Sequence, residues 1–129
     1  MPITFRIEPE RRTIRTKIEG ALSADDVRAH FDVLLSEPAC AGELFVFLDA
    51  TGITHPPSTE LIQSVGAQMD RSRNRFRFAA IAIVTKGLAS YGMFRASQVL
   101  LEAFVGPTHV SRDVAEAETW FDAQRTGAK

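Results

Sequence analysis

Cysteine is almost absent from this 129-residue sequence, in which Cys40 is the only example. A single thiol excludes a disulfide bond within the chain and is typical of proteins from reducing compartments. Neither sign of charge is in excess, because 15 lysines and arginines stand against 16 aspartates and glutamates. A chain with so little net charge has no overall field to attract nucleic acid or an anionic membrane. We therefore expect a cytoplasmic protein with no nucleic-acid partner.

Long apolar stretches and motifs of known chemistry are also missing. The sequence opens with Met-Pro-Ile-Thr-Phe-Arg and meets a charge at position 6, which predicts neither a signal peptide nor a membrane anchor. The histidines and Cys40 lack the spacing of metal ligands, and no glycine-rich phosphate loop occurs. These absences predict no integral membrane association, no metal site and no cofactor.

The composition is that of a folded globular protein, with 45% hydrophobic and 24% charged residues. The chain length is typical of one domain, and no linker or internal repeat divides it. We predict a single domain over residues 1–125, followed by a frayed tail at 126–129.

Hydrophobic periodicity predicts five strands and four helices. Two runs, at 44–50 and 75–84, are apolar on both alternating faces, as in strands that helices cover on both sides. Ser23 with Asp26 resembles a capping box that begins the first helix, and Ser58 begins the second. The order β-β-α-β-α-β-α-β-α predicts an α/β fold, a single-domain, mixed and mostly parallel five-stranded sheet covered by helices. The other predicted segments are a hairpin over 3–19, a helix over 88–105, a strand over 108–112 and a helix from 113.

Three segments carry a family resemblance. They are Phe-Leu-Asp-Ala-Thr-Gly at 47–52, Tyr-Gly-Met-Phe-Arg at 91–95 and Arg-Asp-Val-Ala-Glu-Ala-Glu-Thr-Trp-Phe at 112–121. With the order of elements, they resemble the SpoIIAA-like branch of the STAS domain superfamily over almost the whole chain. The resemblance implies a layered β-α fold. Together with the lack of a reactive constellation, it favours a non-catalytic regulatory or protein-interaction module with an unknown protein partner.

Ser58 has two interpretations. STAS anti-sigma-factor antagonists carry a phosphorylatable serine in an Asp-Ser-Ser-Gly motif at the start of their second helix, and the resemblance places Ser58 at that position. Pro57 and Glu60 replace the aspartate and the final glycine of the motif, and the Glu60 carboxylate would oppose a phosphate. The alternative is that Ser58 only caps the helix.

Polar residues follow the two central strands, at the end of the sheet where open α/β folds bind ligands. After the central strand at 44–50, the predicted ligand-binding residues are Asp49, Thr51 and His55. Asp49 has an alternative role, in which its carboxylate holds its own loop by accepting hydrogen bonds from backbone N–H groups. Asp49, His55 and Ser58 resemble a catalytic trio in composition only, because they share one loop and lack the sharp turn of such serines. We therefore expect no enzymatic activity. After the central strand at 75–84, the predicted ligand-binding residues are Lys86, Tyr91, Phe94 and Arg95.

The third helix has a broader apolar arc than one sheet contact needs, with residues such as Met93 and Phe94. It could be core beneath loops, close a homodimer through residues 88–105, or line a pocket for a nonpolar molecule. The last option supplies an alternative function, a carrier or sensor of a small lipid-like ligand. The arginines between residues 71 and 77 form the densest charge cluster, which we interpret as a solvated face.

Overall fold

A computed structural model describes residues 2–127 of the chain. In this range the strands are β1 (Ile3–Glu8), β2 (Thr13–Gly20), β3 (Gly42–Ile53), β4 (Phe76–Val84) and β5 (Thr108–Ser111), and the helices are α1 (Ala24–Ser36), α2 (Thr59–Ser72), α3 (Leu88–Glu102) and α4 (Val114–Gly127). The strands form one sheet in the order β1-β2-β3-β4-β5, with β1 antiparallel to β2 and the other pairs parallel. The predicted α/β fold with a mixed, mostly parallel five-stranded sheet is confirmed.

The first two helices begin where side chains supply hydrogen bonds that the helix itself cannot make. Ser23 Oγ accepts from the Asp26 amide at 3.1 Å, and the Asp26 carboxylate accepts in return from the Ser23 amide at 2.9 Å. This is the predicted capping box. Ser58 Oγ accepts from the Leu61 amide at 3.1 Å. The caps satisfy amides that would otherwise lack partners, so they define where α1 and α2 begin.

The alternation of side chains along β3 divides the core between the two faces of the sheet. Leu44 and Val46 lie on the face covered by α1, α2 and α3, whereas Phe45 and Phe47 lie on the face covered by α4. All four side chains are almost completely buried. The central strands are thus covered on both faces, which is why their sequences are continuously apolar.

β3 is longer than the apolar run that predicts it. It continues to Ile53, which pairs with Gly20 of β2. The register shifts between Lys17 and Glu19 because β3 carries one extra residue there, a β-bulge. The bulge resets the alternation, so Ile53 and Leu48 line the same side of the sheet although an odd number of positions separates them.

Two helix boundaries differ from the prediction. α3 ends at Glu102 and not at residue 105. α4 extends through Gly127, so the first two residues of the predicted frayed tail are helical, and the Thr126 hydroxyl donates to a carbonyl one turn earlier. The rest of that tail, residues 128–129, lies outside the described part of the chain.

Candidate functional site

An apolar cavity of about 410 Å³ lies between the sheet and helices α1 and α2. Pockets that hold small ligands have volumes in this range. The exposed residues in its wall are Ala21, His55, Pro56 and Ser58, so the cavity opens at the carboxyl ends of β2 and β3. The side chains of its floor and roof are Ile14, Thr16, Ile18, Val46, Leu48, Ile81 and Ile83 from the sheet and Val27, His30, Phe31, Leu34, Leu61, Ile62 and Val65 from the helices.

The spacing of apolar residues along the surrounding strands and helices explains why the cavity wall is apolar. Ile14 and Ile18 occupy alternate inward positions of β2, so both lie on its floor. Val27, Phe31 and Leu34 follow one another at helical spacing and form a single stripe on α1. The walls are thus the core faces of the flanking elements, and the space between them is not filled by side chains.

Among the described residues, only four polar side chains line the cavity, and none of them is Asp, Glu, Lys or Arg. The two at the opening are already engaged, because His55 Nδ1 lies 3.0 Å from Thr54 Oγ1 and Ser58 Oγ caps α2. The other two are Thr16 and His30. Within residues 2–127, no side-chain hydrogen bond involves Thr16 or His30, and neither belongs to the fully enclosed unpaired atoms, which are on Glu8, Ser72 and Thr85.

His30 is the titratable group in the roof of the cavity. Its ring packs edge-on against the rings of Phe5 and Phe31, with centroid distances of 5.3 and 5.9 Å. Burial lowers the pKa of the His30 imidazole to about 4, because desolvation disfavours the charged ring. The ring is therefore uncharged at neutral pH, and it offers one N–H donor and one nitrogen acceptor.

Comparison with solved structures identifies the architecture around this cavity. An uncharacterised protein of the DUF3478 family from Shewanella loihica PV-4, described as having a SpoIIAA-like fold, is similar to this chain with a TM-score of 0.63. The similarity covers 92% of this chain and 93% of that chain. This chain has a SpoIIAA-like fold. The sequence identity is 18%, so the likeness is one of fold. No family model matches the sequence, and no curated protein matches it.

In this structure Ser58 lies at the start of α2, which is the position that the family resemblance assigns to it. Its oxygen accepts the Leu61 amide hydrogen, so the side chain acts as a helix cap. Glu60 is exposed in the first turn of the same helix. Phosphorylation of Ser58 stays a prediction.

Two of the seven predicted ligand-binding residues line the cavity. His55 lies at the opening and Phe94 of α3 lies in the wall. Asp49 belongs to the opposite face of the sheet, because it alternates with Phe47, which packs under α4. Its carboxylate accepts from the amide and the hydroxyl of Thr51, at 2.9 and 2.6 Å. Asp49 therefore holds its own chain segment next to the bulge, as the structural alternative proposed.

Of the four remaining predicted residues, Thr51 is half-buried in β3 and bonded to Asp49, whereas Lys86, Tyr91 and Arg95 lie beyond β4, and none of the four lines the cavity. Lys86 is exposed, and its carbonyl accepts from Arg112 Nε at 3.1 Å. Arg95 is exposed on α3, while Tyr91 is half-buried and packs against the main core. The cavity thus lies beneath α1 and α2, and not between the segments that follow β3 and β4.

Thr16 and His30 were not among the predicted site residues. Each interrupts an otherwise apolar inward stripe. Thr16 lies within the isoleucine stripe of β2, and His30 lies three residues after Val27 and four before Leu34 on α1. A polar residue in the middle of a core stripe was the feature that could have identified them.

The arginine cluster between residues 71 and 77 lies on the surface, away from the cavity. Its partners are Asp32 for Arg71, Asp70 for Arg73, the Glu37 carbonyl for Arg75 and Glu43 for Arg77. Such exposed pairs contribute little stability but reduce the local field. In the described range 2–127, no three His, Cys, Asp or Glu side chains are grouped as metal ligands, and no helix has the length and hydrophobicity to cross a membrane.

We expect the stability of the protein to fall between pH 6.5 and 4 because of His30. The folded state keeps the imidazole neutral down to a pKa of about 4, whereas the unfolded chain takes up a proton near pH 6.5. The unfolded state thus binds more protons in this window, so the free energy of unfolding rises with pH. Between pH 7.5 and 4.5 the wild type should lose roughly 2 kcal/mol more than a His30→Leu variant.

Urea unfolding of both proteins at the two pH values measures this difference. Carboxylates titrate in both proteins, so the comparison isolates His30. Equal losses in the wild type and the variant would show that burial of His30 has no thermodynamic effect.

Proposed function

We propose that this SpoIIAA-like protein binds a small nonpolar molecule in the cavity under α1 and α2, as a carrier or sensor. The observation that carries the proposal is the cavity itself, about 410 Å³ in volume, open at one end and without a charged side chain in its described wall. An apolar ligand would remove these walls from water, which contributes about 25 cal/mol for each Å² of apolar surface buried. The same walls would disfavour a polar solute, because few groups could replace its hydrogen bonds to water.

The arrangement of the polar residues favours binding without catalysis. Asp49 lies on the α4 side of the sheet, whereas Ser58 and His55 lie at the opening of the cavity. Ser58 caps a helix, and His55 bonds to its neighbour Thr54. Nucleophilic catalysis needs a nucleophile, a base and an orienting group in mutual contact. These residues therefore support a non-catalytic module.

We expect Val65→Trp to weaken binding of a nonpolar probe by at least about tenfold, equivalent to about 1.4 kcal/mol. Val65 is half-buried on α2 and lines the cavity, so an indole at this position would occupy the space of the ligand. The probe is 1,6-diphenylhexatriene, a hydrocarbon that fluoresces when it leaves water. Titration of the wild-type protein with this probe should show saturable binding with one molecule per chain.

Val114→Trp is the matched control. Val114 is 54% exposed at the start of α4, on the opposite side of the sheet, so this variant should bind the probe as the wild type does. Thermal unfolding of both variants checks that they remain folded. The carrier proposal is wrong if the wild type does not bind the probe, or if Val65→Trp and Val114→Trp bind it equally well.

A protein-interaction module is the second candidate, and the surface of α3 favours it. Leu88 and Val99 are 71% and 81% exposed on this helix, while Phe94 and Leu101 form its buried stripe. Burial of the exposed side chains in a homodimer through residues 88–105 would remove apolar surface from water. Sedimentation of the wild type and of Val99→Lys over a wide concentration range tests this. A wild type that stays monomeric throughout would exclude the homodimer.

A further inference from the structure

We infer that the cavity selects a ligand with a hydrocarbon body and one uncharged hydrogen-bonding group, such as an alcohol, and that Thr16 and His30 hold this group. The inference rests on the proposed function and specifies the chemistry of its ligand. It starts from the two polar side chains in the wall that lack hydrogen-bond partners within residues 2–127. Thr16 is buried and His30 is half-buried, and both lie in the wall of the cavity, so a hydrogen-bonding group of a ligand in the cavity would find a partner in each of them.

Thr16 and His30 lie at the same end of the cavity. Thr16 is directly opposite Phe5 across the β1–β2 pair, so these two side chains share one face of the sheet. The His30 ring packs on the same Phe5 ring from helix α1, at 5.3 Å. One polar group therefore lies in the floor and the other in the roof, both next to Phe5.

This polar end lies inside the cavity and not at its opening. Ala21 is at the opening, and Thr16 is five positions earlier on β2. At the rise of a strand this separates the two residues by up to about 16 Å. A ligand that reaches Thr16 and His30 would place its polar group in the interior and its hydrocarbon body along the apolar walls.

The charges of the wall decide which polar group fits. A hydroxyl and a neutral imidazole can each donate or accept one hydrogen bond, so they complement an alcohol without any change of protonation. A carboxylate or phosphate would enter a described wall that holds no Lys or Arg. Burying such an anion without a counter-charge is costly. Protonation of His30 could supply the charge, but burial opposes it.

Displacement of bound 1,6-diphenylhexatriene by two ligands of equal chain length tests the inference. At pH 8, 1-decanol should displace the probe from the wild type with a dissociation constant at least about tenfold lower than that of decanoate, which is ionised. The double variant Thr16→Val, His30→Leu should reduce this preference to about threefold or less. The preference is the ratio of two dissociation constants measured on the same protein, so a change in the affinity of the double variant for the probe does not affect it.

His109→Leu is the matched control, because it makes the same substitution on the opposite side of the sheet, where His109 stacks on Trp120 of α4 with ring centroids 5.1 Å apart. It should keep the wild-type preference for decanol. Probe binding with equal displacement by decanol and decanoate would overturn the inference and leave the proposed function intact. An unchanged preference in the double variant would overturn the roles of Thr16 and His30. Failure of the wild type to bind the probe would overturn both the inference and the proposed function.

Discussion

Gly106→Ala is expected to lower the free energy of unfolding by about 3 kcal/mol or more, because the added carbon has no space. A Cβ at residue 106 would lie 1.9 Å from the carbonyl oxygen of Ala79 and 2.7 Å from its carbonyl carbon. These are backbone atoms of β4, which cannot move aside as the end of a side chain could. Hydrogen bonds on either side hold the two segments together, since the Gly106 amide donates to Phe78 at 3.1 Å and the Pro107 carbonyl accepts from Ile81 at 3.0 Å.

Gly92→Ala is the control for this prediction. Gly92 is in α3, and a Cβ there would meet no atom within 4 Å. Alanine should therefore stabilise the protein by up to about 1 kcal/mol, through its higher helix propensity. Urea unfolding of the wild type and both variants measures the two effects, which should have opposite signs. A Gly106→Ala protein within 1 kcal/mol of the wild type would contradict the close approach of this segment to β4.

Phe121→Ala should cost about 3–5 kcal/mol of unfolding free energy, the range for removing a buried phenylalanine ring. Phe121 is completely buried in the middle of α4, and its ring lies edge-on to Phe47 of β3 at a centroid distance of 5.4 Å. The Arg125 guanidinium lies over the same ring, 4.7 Å from its centroid. Alanine would lose these contacts and leave a void in the smaller core, where few neighbours could collapse into it.

Phe104→Ala, the same substitution at a side chain that is 43% exposed, should cost about 1 kcal/mol or less. Chemical unfolding of the two variants side by side gives the comparison. Phe121 also lies on the opposite face of the sheet from the cavity. Under conditions where the Phe121→Ala protein is still folded, it should therefore bind 1,6-diphenylhexatriene as the wild type does. A loss of stability below 1.5 kcal/mol would mean that α4 packs less tightly than its burial indicates.

Most of the fold could be predicted because local patterns and tertiary packing agree. The capping pair Ser23 and Asp26, the cap at Ser58 and the two continuous apolar runs each define an element that the structure contains. Residues near element ends were harder to assign. β3 runs on to Ile53 because Gly20 of β2 offers a pairing partner there, and pairing between distant segments has no local sequence pattern.

The cavity coincides only in part with the predicted ligand-binding residues. The polar residues after the central strands suggested a site that includes Asp49 and Lys86, but the structure has Asp49 on the α4 side of the sheet and Lys86 exposed at the surface. The alternation in Phe45, Phe47 and Asp49 already indicated that these residues share one face. A position at the end of a strand therefore tells where a residue lies along the sheet. Whether that position is odd or even within the strand decides on which face of the sheet its side chain lies.

By itself, the amino-acid sequence determined the order of elements, the mixed sheet and the two buried faces, since these follow from periodicity, caps and turn residues within short segments. Only the tertiary structure decided that a cavity lies under α1 and α2 and that Thr16 and His30 both lie next to Phe5. The reason is geometric. An unfilled volume is the difference between the space that the backbones enclose and the space that side chains occupy, and it depends on how far the helices stand from the sheet.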